Sequence, residues 1–293
     1  MNADLPILDS GPPPTGWPDP ATARAKASAL ERDLEAVVDT GALVAFSGGM
    51  DSAFLLWSAA RVAKTRGGRV VALTTTSPST PRRDKEDAAV FARKLGVLHL
   101  WKESRETARP EYARNDRDRC YHCKTELFRI AQEVAGEEEL RWLLYGYNAS
   151  DRGDHRPGHR AALEAGARTP LADAGLSKTE ISFLMKERGL PLATKPASPC
   201  LSSRITTGIA ISPERLRDVE AMESILREAG ASTLRVRVCR DEARELFLRV
   251  EVDPEEMGAV LACRERLHRE GRDRGYRWVT LDLGGYRTGG GVR

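Results

Sequence analysis

The stretch ALVAFSGGMDSAFLL, residues 42–56, decides how the chain is read. An apolar run of strand character meets Ser47-Gly48-Gly49, then Met50-Asp51-Ser52, then a second apolar run of helical character. Adjacent glycines between a strand and a helix let backbone approach an anion closely. The helix start adds unpaired N–H groups and the positive end of a dipole. Ser47 and Ser52 can donate through their hydroxyls, whereas Asp51 repels a bare phosphate and calls for a bound Mg²⁺. The plainer alternative is a tight turn with Asp51 as a helix cap.

Alternating strand-like and helical runs surround this loop. After a helix at 21–39 come strands at 42–46, 69–75, 97–101 and 141–146, with helices at 52–66, 85–96 and 120–135 between them. Strands separated by helices imply parallel crossovers and a sheet covered on both faces, an α/β fold. A further helix at 177–188 opens on Ser177 and Glu180 at capping-box spacing. The segment 195–208, KPASPCLSSRITTG, is irregular. Beyond it the pattern becomes a helix (212–230), two alternating strands, a helix (255–270) and a last strand (276–283), the mark of a small α+β unit. The expected division is therefore an arm at 1–20, an α/β unit at 21–208 and an α+β unit at 209–293, ending in a flexible GGYRTGGGVR.

Composition narrows the class. The chain has 293 residues, 41% hydrophobic and 30% charged, enough for a sizeable core. No apolar run is long enough for a membrane span, and the first residues do not read as a secretory signal. A net charge of +3 does not demand a nucleic-acid partner. Five cysteines favour a reducing, cytoplasmic setting, where thiols serve metals or catalysis.

Cys120 and Cys123 form a C-x-x-C, and Cys200 lies in the irregular segment. Such a pair plus a distant thiolate can hold three irons of a [4Fe–4S] cluster, leaving one iron open. A redox pair or half of a zinc site remains possible from the spacing, although His122 sits awkwardly between the two cysteines for a Cys₃His centre. Cys239 and Cys263 read as packing residues. Thr74, Thr75 and Thr76 end the second strand beside the loop, as nucleotide neighbours or as an ordinary strand end.

SGGMDS resembles the S-G-G-x-D-S pyrophosphate loop of the PP-loop ATP pyrophosphatases and lacks the G-K-[ST] ending of a Walker loop. Together with CYHCKTELF, YGYNASDRGDHRPG, GARTPL and KPASPCLSSR, it resembles the LarE family of ATP-dependent sulfur transferases, over roughly residues 28–290. That resemblance implies ATP cleavage between the α and β phosphates and adenylation of a carboxylate of pyridinium-3,5-biscarboxylic acid mononucleotide. Sulfur then displaces AMP, in the biosynthesis of the nickel-pincer nucleotide cofactor. Some members sacrifice a loop cysteine, which becomes dehydroalanine; others carry three cysteines and a cluster, the pattern found here.

The resemblance further implies a nucleotide site of Ser47, Gly48, Gly49, Asp51, Ser52 and Thr74, and catalytic roles for Asp51 and Cys200. Arg204, Arg235 and Arg237 match a basic substrate pocket, the last two on one face of a strand. Asn148, Asp151, Asp154 and Arg156 match a loop near the active site. Glu223 and Glu251 match acidic positions, a third being Ala259 here. A homo-oligomer, in the family a hexamer, is implied as well. The rival readings are tRNA thiolation with a cluster, which needs a basic RNA-binding surface, and an ATP- and redox-sensing protein without turnover.

Overall fold

The computed structural model describes residues 17–152, 157–195 and 198–287. The expected flexible ends lie mostly outside these residues.

Helix α1 (Pro20–Asp39) is capped by Asp19, whose carboxylate accepts from the Thr22 N–H at 2.8 Å. It leads into β1 (Ala42–Ala45), α2 (Met50–Arg66), β2 (Val70–Thr76), α3 (Arg82–Leu95) and β3 (Leu98–Glu103). A short α4 (Pro110–Ala113) precedes α5 (Arg119–Glu137) and β4 (Trp142–Tyr145). The four strands form one parallel sheet in the order β3-β2-β1-β4.

Strand alternation feeds two cores. Ala42, Val44, Val70 and Ala72 pack towards α1, α2 and α3, whereas Leu43, Val71 and Leu73 pack on Ile130, Ala131 and Val134 of α5. Both faces are thus covered, which is why these strands read as continuous apolar runs.

Three short helices then follow: α6 (Pro157–Glu164), α7 (Pro170–Asp173) and α8 (Lys178–Glu187). The Ser177–Glu180 capping box forms as the spacing predicts. Sequence periodicity does not reveal α4, α6 and α7, which are too short to show an apolar repeat.

The remaining elements are α9 (Pro213–Glu228), β5 (Leu234–Arg240), β6 (Leu246–Val252), α10 (Met257–Ala262), α11 (Arg264–Asp273) and β7 (Val279–Leu281). They form a second sheet, β5-β6-β7, with β5 and β6 antiparallel and β7 parallel to β6. The helix expected at 255–270 breaks at Cys263, and the last strand shrinks to the residues that pair with Leu248–Val250. The core of this sheet draws in Tyr112, Leu201 and Ile205 from earlier in the chain. Ile205 also pairs with Val238 of β5.

Candidate functional site

A cavity of about 400 Å³ opens beyond the carboxyl ends of β1, β2 and β4, where parallel sheets place their ligands. Its floor is the glycine loop. Gly48 has φ +72°, and a Cβ there would lie 2.9 Å from the Asp84 carbonyl oxygen, so glycine is required. A Cβ on Gly146, after β4, would lie 2.9 Å from the Ser52 nitrogen; the β4 end therefore abuts the start of α2.

No side chain caps α2 at Gly49, leaving its positive end to a ligand. Ser52 Oγ donates to the Gly49 carbonyl at 3.0 Å, and so accepts from Ser47 Oγ at 3.0 Å. Both hydroxyl protons close the loop on itself. The Ser47 and Gly49 N–H groups donate to Ser52 Oγ and Ser47 Oγ as well, so the hydroxyl protons expected to donate outward are turned into the loop. Asp51 stands in the first turn and lines the same cavity.

Thr74 and Thr75 also line it. Thr74 is buried and donates to the Phe46 carbonyl at 2.7 Å, so its contact with His99 Nε2 at 2.8 Å fixes the proton on Nε2. Burial holds the His99 pKa below its ordinary value. The unfolded chain then takes up the proton first. Stability is full above about pH 6.5 and is lost as the pH falls below it. His99→Gln keeps a donor to Thr74 and removes the titration. Thermal midpoints measured across that range should fall less steeply in the variant than in the wild type.

All three expected cysteines reach the cavity: Cys120 and Cys123 from the first turns of α5, Cys200 from the loop before a 3₁₀ turn at Leu201–Arg204. Burial pushes the Cys123 thiol up to about 12, with Lys124 pulling it down. Lys124 and Arg119, beside Cys120 and Cys123 on α5, line the cavity as well. His122 turns to Asp118 at 3.2 Å and does not line the cavity. Among the described residues, no three Cys, His, Asp or Glu side chains gather tightly enough to hold one metal ion. Cys239 is buried in β5 beside Thr206, and Cys263 donates to the Ala259 carbonyl, as packing residues do.

The three arginines stay outside the cavity lining. Arg204 is 1% exposed and grips Glu223 through Nε at 2.9 Å and Nη2 at 3.3 Å. Burial alone would raise the Glu223 carboxyl; the guanidinium groups of Arg204 and Arg227 overcome this and hold it below the usual range. Arg237 pairs with Glu251 at 2.7 Å, and Glu251 also binds Arg249 at 2.7 Å. Arg235 donates to the Leu234 carbonyl and lies over the Tyr286 ring, 5.1 Å from its centre. Asn148 and Asp151 form a capping box around a 3₁₀ turn, and Asp151 lines the cavity. Asp154 and Arg156 lie outside the described residues.

Two groupings in and beside the cavity were not anticipated. Glu106 is buried and accepts from the hydroxyls of Ser77, Ser79 (2.9 Å) and Ser104 (2.6 Å). Lys195 bridges Asp84 and Asp87, each at 2.8 Å, and donates to the Gly48 carbonyl at 3.1 Å, tying the segment before Cys200 to the glycine loop.

A parallel sheet of order 3-2-1-4, with an S-G-G-x-D-S loop between its first strand and the following helix, defines an α/β protein of the PP-loop type. The chain is 33% identical over 271 residues to the pyridinium-3,5-bisthiocarboxylic acid mononucleotide synthase of Lactiplantibacillus plantarum, covering 92% of this chain and 93% of the relative. It belongs to that synthase's family, the LarE family. It is also 38% identical to an uncharacterized protein of Synechocystis sp. over 251 residues, 85% of this chain and 90% of the relative. An uncharacterized protein of Methanocaldococcus jannaschii is 26% identical over 247 residues, 84% of this chain and 90% of the relative. No family model matches the chain.

Proposed function

We propose that the chain is an ATP-dependent sulfur insertase. It converts pyridinium-3,5-biscarboxylic acid mononucleotide to its thiocarboxylate and bisthiocarboxylate in nickel-pincer nucleotide biosynthesis. The observation that carries this reading is the single cavity in which the glycine loop and three thiols face one another. The similarity over 92% of the chain to a synthase of the bisthiocarboxylate supports a pyridinium mononucleotide as the substrate.

The chemistry follows from the walls. Gly48, Gly49 and the start of α2 hold the β and γ phosphates, with Ser47, Ser52 and Thr74 shaping the pocket. Asp51 would hold Mg²⁺, which offsets phosphate charge. A substrate carboxylate oxygen attacks the α-phosphorus, the bond to the β-phosphate oxygen breaks, and pyrophosphate leaves. The resulting mixed anhydride lies against the thiol wall, where sulfur attacks its carbonyl carbon and AMP departs. Arg235 offers charge to the substrate's phosphate or carboxylates.

We extend the proposal to a [4Fe–4S] cluster on Cys120, Cys123 and Cys200. Three thiols lining one cavity, together with Arg119 and Lys124, suit a group that spreads its ligands over separate irons. When bound, the cluster would supply sulfide on the iron that no cysteine holds. The division at residue 208, a homo-oligomeric assembly, a cytoplasmic setting and a small-molecule rather than nucleic-acid substrate complete the proposal.

Supplying ATP and the biscarboxylate nucleotide should yield pyrophosphate and a product heavier by the exchange of oxygen for sulfur, read by mass spectrometry. Thiolated nucleosides in tRNA treated with the enzyme, with no small-molecule product, would replace this reading by tRNA thiolation. ATP binding with no pyrophosphate release would leave a sensor.

A further inference from the structure

Cys200 lies in a segment with little regular structure, yet the segment is tied down on both sides of it, from Ser198 to Ser202. Ser198 Oγ donates to Asp84 at 2.8 Å, and the Leu201 N–H donates to the Ser79 carbonyl at 2.8 Å. Ser202 Oγ meets the Tyr112 hydroxyl at 2.6 Å, and its carbonyl accepts from Arg119 at 3.0 Å. These ties hold the segment to the side of the parallel sheet.

Arg204 supplies the hold from the other side. Its Nη1 donates to the Pro199 carbonyl, to the Cys200 carbonyl at 3.1 Å and to Ser203 Oγ at 3.2 Å. Its opposite edge grips Glu223 of α9. Glu223 is itself fixed by Arg227 at 2.8 Å and by the Val236 N–H at 3.3 Å. The guanidinium is buried, absent from the cavity lining, and engaged along both edges. Only a planar fork can serve a carboxylate on one edge and backbone carbonyls on the other; an ammonium is a single point.

We propose that Arg204, locked by Glu223, is a positioning residue for Cys200: it turns the Cys200 carbonyl towards α9 and so fixes the thiol on the cavity wall. Its charge is spent within the fold and does not meet the substrate. Arg237, which donates to the Ser203 carbonyl at 3.2 Å while paired with Glu251, repeats the arrangement three residues beyond Cys200.

The test uses the full chain prepared without iron. Arg204→Lys keeps the charge opposite Glu223 but gives up the carbonyls. Iodoacetamide labelling, resolved by peptide mass, should accelerate at Cys200 by about tenfold, the opening expected when a charge-assisted hydrogen bond is lost. Labelling of buried Cys239 should not change. Arg227→Gln loosens Glu223 from its more exposed side and should act in the same direction more weakly. Only the activity arm rests on the proposed function: kcat for sulfur transfer should fall while KM for the biscarboxylate nucleotide and pyrophosphate release hold. Unchanged Cys200 labelling in both folded variants would overturn the proposal. So would a raised KM with kcat intact, which would make Arg204 a substrate ligand. Should Arg204→Lys fail to fold, Arg227→Gln decides by labelling alone. A wild type that releases no pyrophosphate would defeat the functional reading and leave the labelling result standing.

Discussion

Asp51→Ala should give a folded protein whose pyrophosphate release is lower by about a thousandfold, the scale of removing one preorganised electrostatic contact at a reacting phosphate. Asp51 sits in the first turn of α2, on the wall of the cavity that holds the glycine loop. A carboxylate at that place repels phosphate unless a divalent cation stands between them. Its removal therefore costs the cation and the charge balance of the transition state together. The fold should survive, because an acidic residue in a first helical turn contributes only about 0.3–1 kcal/mol through the dipole. Pyrophosphate release is read with ATP, Mg²⁺ and the biscarboxylate nucleotide, and folding by the thermal midpoint. Release at the wild-type rate would remove Asp51 from the mechanism.

Cys200→Ser should separate the two halves of the reaction. Adenylation needs only the loop side of the cavity, so pyrophosphate release should persist while thiocarboxylate formation falls to background. Protein reconstituted without oxygen should hold about four irons per chain if the cluster forms. Replacing Cys120 or Cys123 should then damage iron content and sulfur transfer together. After one round of turnover, peptide mass analysis should find Cys120, Cys123 and Cys200 all unaltered. Dehydroalanine at Cys200 in active, iron-free protein would show that the thiol itself was given up. The adenylation chemistry would stand either way.

What could be read from the sequence was what depends on neighbours along the chain. The glycine loop was legible because strand, loop and helix are contiguous from Ala42 to Leu56. The parallel sheet was legible because doubly buried strands such as VVALTTT leave uninterrupted apolar runs. The meeting of Cys200 with Cys120 and Cys123 was anticipated from the three cysteines beside a phosphate-type loop and from the family resemblance; spacing alone left a redox pair and a zinc site open. The arginines show the limit. Alternation put Arg235 and Arg237 on one face, but nothing local told that Arg237 lies opposite Arg249 and that Glu251 neutralises both. The Glu106 hydroxyl cluster and the Lys195 bridge join residues from separate loops, so they exist only once the fold exists. The rule that sites gather beyond strand ends was the signal that could have found Ser104 and Glu106, just after β3.

The second core borrows Tyr112, Leu201 and Ile205 from the chain that precedes it, and Cys200 is gripped through Glu223. This sets an order of assembly during synthesis. A nascent chain emerges from its N-terminus. It therefore has the glycine loop and all four parallel strands once β4 has emerged, but Arg204 lacks its Glu223 partner until α9 follows. The glycine loop and the Cys120–Cys123 pair are thus made before the Glu223 lock on the Cys200 segment. A chain stalled or clipped after residue 208 would keep the glycine loop beside a thiol segment held from one side only, with the apolar sides of Leu201 and Ile205 left open to water and to aggregation.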